Sequence, residues 1–155
     1  MIIRDMTRHD IGQVYETECE CFRTPWSRMS LMSELRNDIA VYQVLEEGNT
    51  ICGYGGMWIL FEEAHVTNIA VRTPYRRQGH ARKLLLTMMQ RALLRGATKM
   101  TLEVRETNMA AQNLYAQLDF VQNGYRKRYY EDTGEGALLL WNTDIAKTVE
   151  KFKNV

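Results

Sequence analysis

The 155 residues carry a net charge of +1, and 45% are hydrophobic and 25% charged, as is usual for one globular domain with a sizeable core. This balance provides no general attraction to nucleic acid or to a membrane surface, and no apolar run reaches the ~20 residues that span a bilayer. We therefore expect one domain over residues 1–144, followed by a polar tail at 145–155.

The cysteines and the first residues bear on compartment and metal binding. Cys19, Cys21 and Cys52 lack Cys-x-x-Cys spacing and are odd in number, so we expect reduced structural thiols and no metal site. The first ten residues do not read as a secretory signal. We expect a cytoplasmic protein.

The first elements are a short strand over Met1–Met6 and a helix that begins at Thr7. Thr7 is a suitable N-cap, and Asp10 completes a capping box. Residues at helical spacing predict one apolar face; they are Ile11, Val14, Tyr15, Cys19 and Phe22. The pair Thr24–Pro25 ends this helix.

A second helix begins near Trp26 and Ser27, with Leu31 and Leu35 facing inward. Trp26 is interpreted either as a core anchor or as the wall of a substrate pocket where the two helices meet. Strands then follow over Ile39–Leu45 and Ile51–Leu60.

Three glycines lie within the second of these strands, at positions 53, 55 and 56. Glycine inside a strand indicates a bulge or a close backbone approach. No helix follows directly, so this strand is not a nucleotide-binding loop.

The stretch from His65 to Leu94 organises the chain: a buried strand, a basic turn containing Gly79, then an amphipathic helix. The first N–H groups of a helix lack partners and lie at the positive end of its dipole, so this turn could bind phosphate. Arg76, Arg77 and Arg82 could add charge-assisted hydrogen bonds. The alternative is an ordinary helix start that happens to be rich in Arg and Gly.

Gly96 is placed to terminate that helix, and Lys99–Val104 forms the next strand, parallel to the strand before the helix. Asn108 is predicted to cap a helix over Met109–Leu118. The last strands are expected at Phe120–Tyr130 and Gly136–Thr143, as a hairpin with a loop of about five residues.

The basic turn resembles motif A of the GNAT acetyltransferases, Arg/Gln-x-x-Gly-x-Gly/Ala, which stands here as Arg76-x-x-Gly79-x-Ala81. Within that superfamily, the chain most resembles the RimI-type N-terminal (alanine) acetyltransferases from Ile2 to about Thr143. The matching segments are 25–27, 68–71, 76–82, 102–105, Asn108, 114–115 and 128–130.

The resemblance implies an α/β (α+β) GNAT fold, with a mixed central sheet of about seven strands and about four helices. It also implies a parallel strand pair that splays apart to admit the pantetheine arm of acetyl-CoA. The implied cofactor-binding residues are Ile69, Ala70, Val71, Arg76, Arg77, Gln78, Gly79, His80, Ala81, Arg82 and Asn108.

Glu103 is a candidate general base, because it is an acid inside an apolar strand beside the expected cofactor groove, where burial would raise its pKa. Together with Tyr115 it is expected to border that groove. The alternative is a glutamate on the sheet face paired with Arg105 or Arg128. Tyr115 is either a core aromatic residue or, as the resemblance implies, the acid that protonates the leaving thiolate of CoA. His65 and His80 are not favoured as bases.

A protein or peptide N-terminus is the substrate that the resemblance implies, held between two walls. One wall is the junction at Thr24, Pro25 and Trp26, and the other is the last hairpin with Tyr129 and Tyr130. Thr24 replaces the bulky residue of many relatives, so the preference for the first substrate side chain stays open.

Other features of the sequence leave further questions. Asp119 stands where the family commonly has a glycine; if this position needs a positive φ, an aspartate is tolerated there but strained. Oligomeric state is undetermined between a monomer and a weak dimer. Two other functions stay open: acetylation of a small amine or lysine side chain, and a non-catalytic acetyl-CoA-binding module.

Overall fold

The computed structural model describes residues 1–153. The strands are β1 (Ile2–Asp5), β2 (Ala40–Glu47), β3 (Thr50–Leu60), β4 (Glu63–Val71), β5 (Lys99–Arg105), β6 (Val121–Arg126) and β7 (Ala137–Asn142). The helices are α1 (Ile11–Cys21), α2 (Arg28–Glu34), α3 (His80–Leu94), α4 (Met109–Gln117) and α5 (Ile145–Lys151). All seven strands form one mixed sheet in the order β1-β2-β3-β4-β5-β7-β6. The expected sheet is confirmed, with one helix more than expected.

The sheet separates two hydrophobic cores. Helices α3, α4 and α5 pack on one face, where Leu84, Met88 and Tyr115 belong to the larger core. Helices α1 and α2 cover part of the other face, where Val14 and Leu31 belong to the smaller core. In the described part of the chain, no helix has both the length and the apolar character needed to cross a membrane.

Strands β4 and β5 are parallel neighbours along only part of their length. The ladder joins Glu63 to Lys99, Ala64 to Met100 and His65 to Thr101, and it extends no further among the described residues. From position 66 on β4 and 102 on β5 the strands separate, as expected. Backbone groups of β4 beyond the ladder are therefore available to an extended ligand.

A β-bulge occurs just beyond the end of this ladder. Gly56 of β3 is opposite Asn68, whereas Met57 is opposite Val66, so Thr67 is the additional residue of β4. A side chain on Gly56 would lie 2.2 Å from the ring of Tyr42, which explains the glycine. A side chain on Gly53 would in addition lie 2.6 Å from the Ala70 carbonyl, so the glycine-rich strand has both the bulge and the close backbone approach that were considered as alternatives.

Helix α1 differs from the prediction in its buried face. Ile11 and Val14 are buried as expected, but Cys19 and Phe22 are exposed, and Thr17 and Glu18 are buried instead. The stripe predicted from hydrophobicity was wrong there, because Glu18 is surrounded by hydrogen-bond donors that only the tertiary structure supplies.

The predicted tail begins with α5, which packs on α3; the last two residues, 154 and 155, lie outside the described residues. Ile145 is fully buried, and the helix is held by Asp119, which accepts hydrogen bonds from Thr148 (2.8 Å) and Lys151 (2.9 Å). Asp119 has a φ of 66°, so this position does need the positive φ that the family's glycine suggested. Its carboxylate anchors α5, which a glycine could not do.

The last hairpin has a longer connection than expected. Strand β6 ends at Arg126 and β7 begins at Ala137, so residues 127–136 form the loop. The strand expected over Phe120–Tyr130 was wrong at its end, because Tyr129 and Tyr130 lie in this loop. Arg128 has a φ of 54°, which is incompatible with continuing the strand.

The contact between Arg4 and Asp10 generates a prediction for stability. Asp10 is buried, accepts two hydrogen bonds from Arg4 (2.8 and 2.9 Å) and one from the Thr7 N–H (2.8 Å), and its pKa is lowered chiefly by the bond from Arg4. Because the folded pKa is below the unfolded one, this stabilisation is fully present above about pH 5 and is lost progressively as the pH falls further.

We therefore expect Asp10→Asn to lower the free energy of unfolding at pH 7 by about 1–3 kcal/mol. Urea denaturation should also show a smaller loss of stability between about pH 5 and 3 than in the parent protein. Asp38→Asn, at an exposed aspartate, is the control. An unchanged acid dependence in Asp10→Asn would contradict this account.

Candidate active site

A groove of about 730 Å³ opens where β4 and β5 separate. Nine of the predicted cofactor-binding residues line it: Ile69, Ala70, Val71, Arg76, Arg77, Gly79, Ala81, Arg82 and Asn108. Gln78 and His80 do not line the groove; instead, Nε2 of His80 lies 3.2 Å from Oε1 of Gln78. The volume is within the range of pockets that hold extended cofactors.

The start of α3 supplies backbone donors to this groove. Gly79 is the N-cap, with a φ of 80°, and no atom lies within 4 Å of the place that its Cβ would occupy. The first bond of the helix runs from the Lys83 N–H to the Gly79 carbonyl, so the preceding N–H groups have no intrahelical acceptor. This geometry suits an anion such as a diphosphate.

Arg76 has a structural contact that the sequence did not indicate. Its Nε donates to the carbonyl of Val71 (2.8 Å), and its Nη2 lies 3.4 Å from the sulfur of Cys21. It thereby joins the end of β4 to the end of α1. The exposed Arg77 and the half-buried Arg82 carry no such bond to β4 and leave more of their charge for a ligand.

Tyr115 lines the same groove from α4, which Asn108 caps by accepting the Ala111 N–H (3.1 Å). Tyr115 is buried, and no group within residues 1–153 hydrogen-bonds its hydroxyl. Burial raises its pKa, and Tyr130 raises it further. The phenol is therefore protonated at neutral pH and can donate.

Glu103 lies on the opposite face of β5 from Tyr115 and does not line the groove. The side chains of β5 alternate, with Leu102 and Val104 packed in the same core as Tyr115. The expectation that acid and phenol border one groove is thus replaced by a site with two faces. The gap beyond the short ladder lies on the β4 side of Glu103.

The carboxylate of Glu103 contacts His65 Nε2 at 2.7 Å. Burial alone would raise its pKa, but the hydrogen bond and charge of His65, with Arg126, outweigh burial and hold the pKa below its usual value. The prediction of a raised pKa was wrong, because it did not foresee His65. Neither Arg105 nor Arg128, the partners considered from sequence, bonds Glu103.

Arg105 instead fixes the loop over residues 127–136. It donates to both carboxylate oxygens of Asp132 (3.0 and 2.8 Å), and its guanidinium lies 4.0 Å from the ring centroid of Tyr130. Burial raises the pKa of Tyr130 to about 12, and Glu103 is among the charges that act on it. Tyr129 packs edge-on against Tyr130.

Glu18 connects the first predicted wall to β4. It is 1% exposed and accepts hydrogen bonds from the Trp26 N–H (2.8 Å), from Asn68 (3.1 Å) and from the hydroxyl of Tyr54. Asn68 belongs to the bulge and precedes Ile69 of the groove. One carboxylate therefore holds the junction between α1 and α2 in register with the splayed strand.

The predicted wall residues differ in exposure. Thr24 is exposed and free of side-chain hydrogen bonds within residues 1–153, whereas Pro25 is half-buried. Trp26 is also half-buried and packs against the smaller core, which favours the core-anchor interpretation of its ring. Its role as a substrate wall stays a prediction.

Glu18 and His65 were not selected by the sequence analysis. Glu18 could have been recognised, because an acid four residues after Val14 lies on the apolar stripe of α1 and must be buried with partners. For His65, the sequence showed only that it lies in the strand before the basic turn. The groove residues Cys21 and Phe22 also went unrecognised as such, because α1 was expected to bury Phe22. Within residues 1–153, no group of three or more His, Cys, Asp or Glu could hold a metal ion.

Residues 11–120 match the model of the Acetyltransferase (GNAT) family. The chain is 39% identical over 142 residues to a protein of Bacillus subtilis (strain 168) named as a putative ribosomal protein bS18-alanine N-acetyltransferase, covering 91% of this chain and 94% of that protein. A Haemophilus ducreyi protein of the same name, without "putative", is 34% identical over 144 residues, covering 90% and 97%.

A solved structure gives a further likeness. The crystal structure of the ribosomal-protein-S18-alanine N-acetyltransferase from Escherichia coli matches with a TM-score of 0.83 and 29% identity, over 90% of this chain and 91% of that one.

The Glu18 contacts generate a prediction for stability. Glu18→Ala leaves two buried donors and the half-buried Trp26 N–H without an acceptor, so we expect the free energy of unfolding to fall by about 3 kcal/mol in urea denaturation. Glu16→Ala, at an exposed position on the same helix, should change it by less than about 0.5 kcal/mol. Equal stability of the two variants would show that the buried contacts contribute nothing.

Proposed function

The chain belongs to the GNAT family of acetyltransferases, and on that basis we propose that it transfers the acetyl group of acetyl-CoA to the N-terminal α-amine of a protein. The relatives at 34–39% identity, whose names specify the alanine of ribosomal protein bS18, support this substrate class. A protein beginning with alanine is the first candidate.

The single observation that carries the proposal is the short ladder between β4 and β5. It leaves a gap with a protonated phenol on one face and an ionised carboxylate on the other. A thioester that enters along the groove and an amine that enters from the Glu103 face could meet in this gap. This arrangement fits direct transfer without a covalent intermediate on the protein.

The groove fits acetyl-CoA, which supplies an activated acetyl thioester. The free amides at the start of α3, with Arg77 and Arg82, would bind its diphosphate. The backbone of Ile69 and Val71 would bind the extended arm, and one of these amides would stabilise negative charge on the carbonyl oxygen. Asn108 lines the groove as well as capping α4.

Glu103 and Tyr115 would handle the protons. Glu103 is ionised and can accept a proton from the amine, directly or through a water. Tyr115 retains its proton at neutral pH and can donate it to the departing sulfur. Glu18 and Tyr130 would position the two walls of the substrate site, because Glu18 bonds Trp26 and Tyr130 contacts Arg105.

An α-amine is the substrate that a single carboxylate can serve. Its pKa is about 7.7–8.0 against about 10.4 for lysine, so at a given pH the α-amine costs roughly 3.5 kcal/mol less to neutralise. We therefore expect labelled acetyl-CoA to acetylate peptides beginning with alanine, and lysine side chains or small amines far less. Label confined to small amines would contradict the proposal.

Substitution of the two proposed catalytic residues separates a catalyst from a binding module. Glu103→Gln and Tyr115→Phe should each lower kcat by roughly 10²–10⁴, while calorimetry should give a Kd for CoA close to that of the parent protein. His9→Gln, at an exposed residue, is the matched control. Unchanged turnover in both variants would exclude these roles.

A further inference from the structure

His65 links Glu103 to open solvent. Its Nε2 lies 2.7 Å from the carboxylate, and 40% of its side chain is exposed against 15% for Glu103. His65 also lines a surface depression of about 580 Å³ with six other residues: Ile39, Trp58, Leu60, Phe61, Glu62 and Glu63. Glu103 does not line this depression, so His65 is the side chain that touches both.

The imidazole is held in this position by its strand neighbours. His65 is opposite Trp58 of β3 in the ladder, and the two rings are edge-on with centroids 6.4 Å apart. The indole N–H of Trp58 donates in turn to Glu34 of α2 (2.8 Å). His65 is also the last β4 residue in the ladder with β5, so its backbone is fixed beside the gap.

The charges around this imidazole are acidic. Glu103 faces it from β5, and Glu62 and Glu63 line the depression on its solvent side. Arg126 from β6 acts on Glu103. The imidazole therefore has carboxylates on two sides.

The proposed reaction must release a proton to water. An α-ammonium and acetyl-CoA give an amide, the CoA thiol and one proton. Two protons thus leave the nitrogen for each acetyl group transferred; one is matched by the new S–H bond and the other must reach solvent. Glu103 is largely enclosed, and the acetyl donor would occupy the groove on the other face of the sheet.

We propose that His65 carries this proton out, as a relay behind Glu103; the inference rests on the proposed function. Because Glu103 is ionised, the Nε2–H of His65 donates to it in the resting protein. The N–H bond of the ammonium breaks and Glu103 takes up that proton, while exchange with water converts the imidazole to its Nδ1–H tautomer, whose Nε2 accepts the carboxyl O–H. The proton then passes to Nε2, and the imidazolium loses its Nδ1 proton to water in the depression, which restores the Nε2–H form. Histidine suits this task, because its charge ordinarily changes between pH 5 and 8.

The test is His65→Gln, which keeps a hydrogen-bond donor toward Glu103 but cannot accept a proton. Steady-state kinetics with an alanine-initiated peptide should show a kcat roughly 10²-fold lower, with the KM of peptide and of acetyl-CoA close to the parent values. Added imidazole, at constant pH and ionic strength, should restore turnover in proportion to its concentration. A purely structural role for His65 predicts no such rescue.

His9→Gln is the control, since it removes an exposed histidine and should respond to imidazole no more than the parent protein does. A loss of kcat that imidazole restores supports the relay; unchanged kcat, or a loss without rescue, overturns it. Failure of the parent protein to acetylate any peptide would instead overturn the proposed function. The two failures are therefore distinguishable.

Discussion

The functional architecture depends on a ladder that stops early. Three residue pairs join β4 to β5, and beyond His65 and Thr101 the strands separate. Parallel strands inside a sheet normally satisfy each other's backbone groups, so a gap of this kind leaves donors and acceptors that a ligand can use. The groove lined by Gly79, Arg77 and Tyr115 occupies one side of the gap, and Glu103 lies on the other side.

Polar contacts keep the edges of the gap in place. On the β4 side, the bulge at Thr67 turns Asn68 toward the buried carboxylate of Glu18, which also holds the backbone of Trp26. On the β5 side, Arg105 bonds Asp132 and stacks on Tyr130. Side chains that are fully hydrogen-bonded in this way rigidify a site, because each lost partner would leave a buried polar group unsatisfied.

Sequence reasoning succeeded where local chemistry decides the structure. The turn before α3, the N-cap at Asn108 and the glycine-rich strand follow from short-range rules, and the splayed pair and mixed sheet follow from the resemblance. It failed where a partner distant in sequence decides. Glu18 is buried because Tyr54 and Asn68 surround it, and the pKa of Glu103 is lowered because His65, 38 positions away, contacts it.

The central claim is that donor and acceptor meet through the gap between β4 and β5. A crystal structure with a CoA–peptide conjugate, in which the thiol is joined through an acetyl bridge to an alanine N-terminus, tests it most directly. The account predicts the diphosphate at the start of α3, the bridge between Tyr115 and Glu103, and the peptide on the Glu103 face beside Trp26 and Tyr130. A conjugate bound wholly on the Tyr115 face, or with its bridge outside the gap, would contradict it.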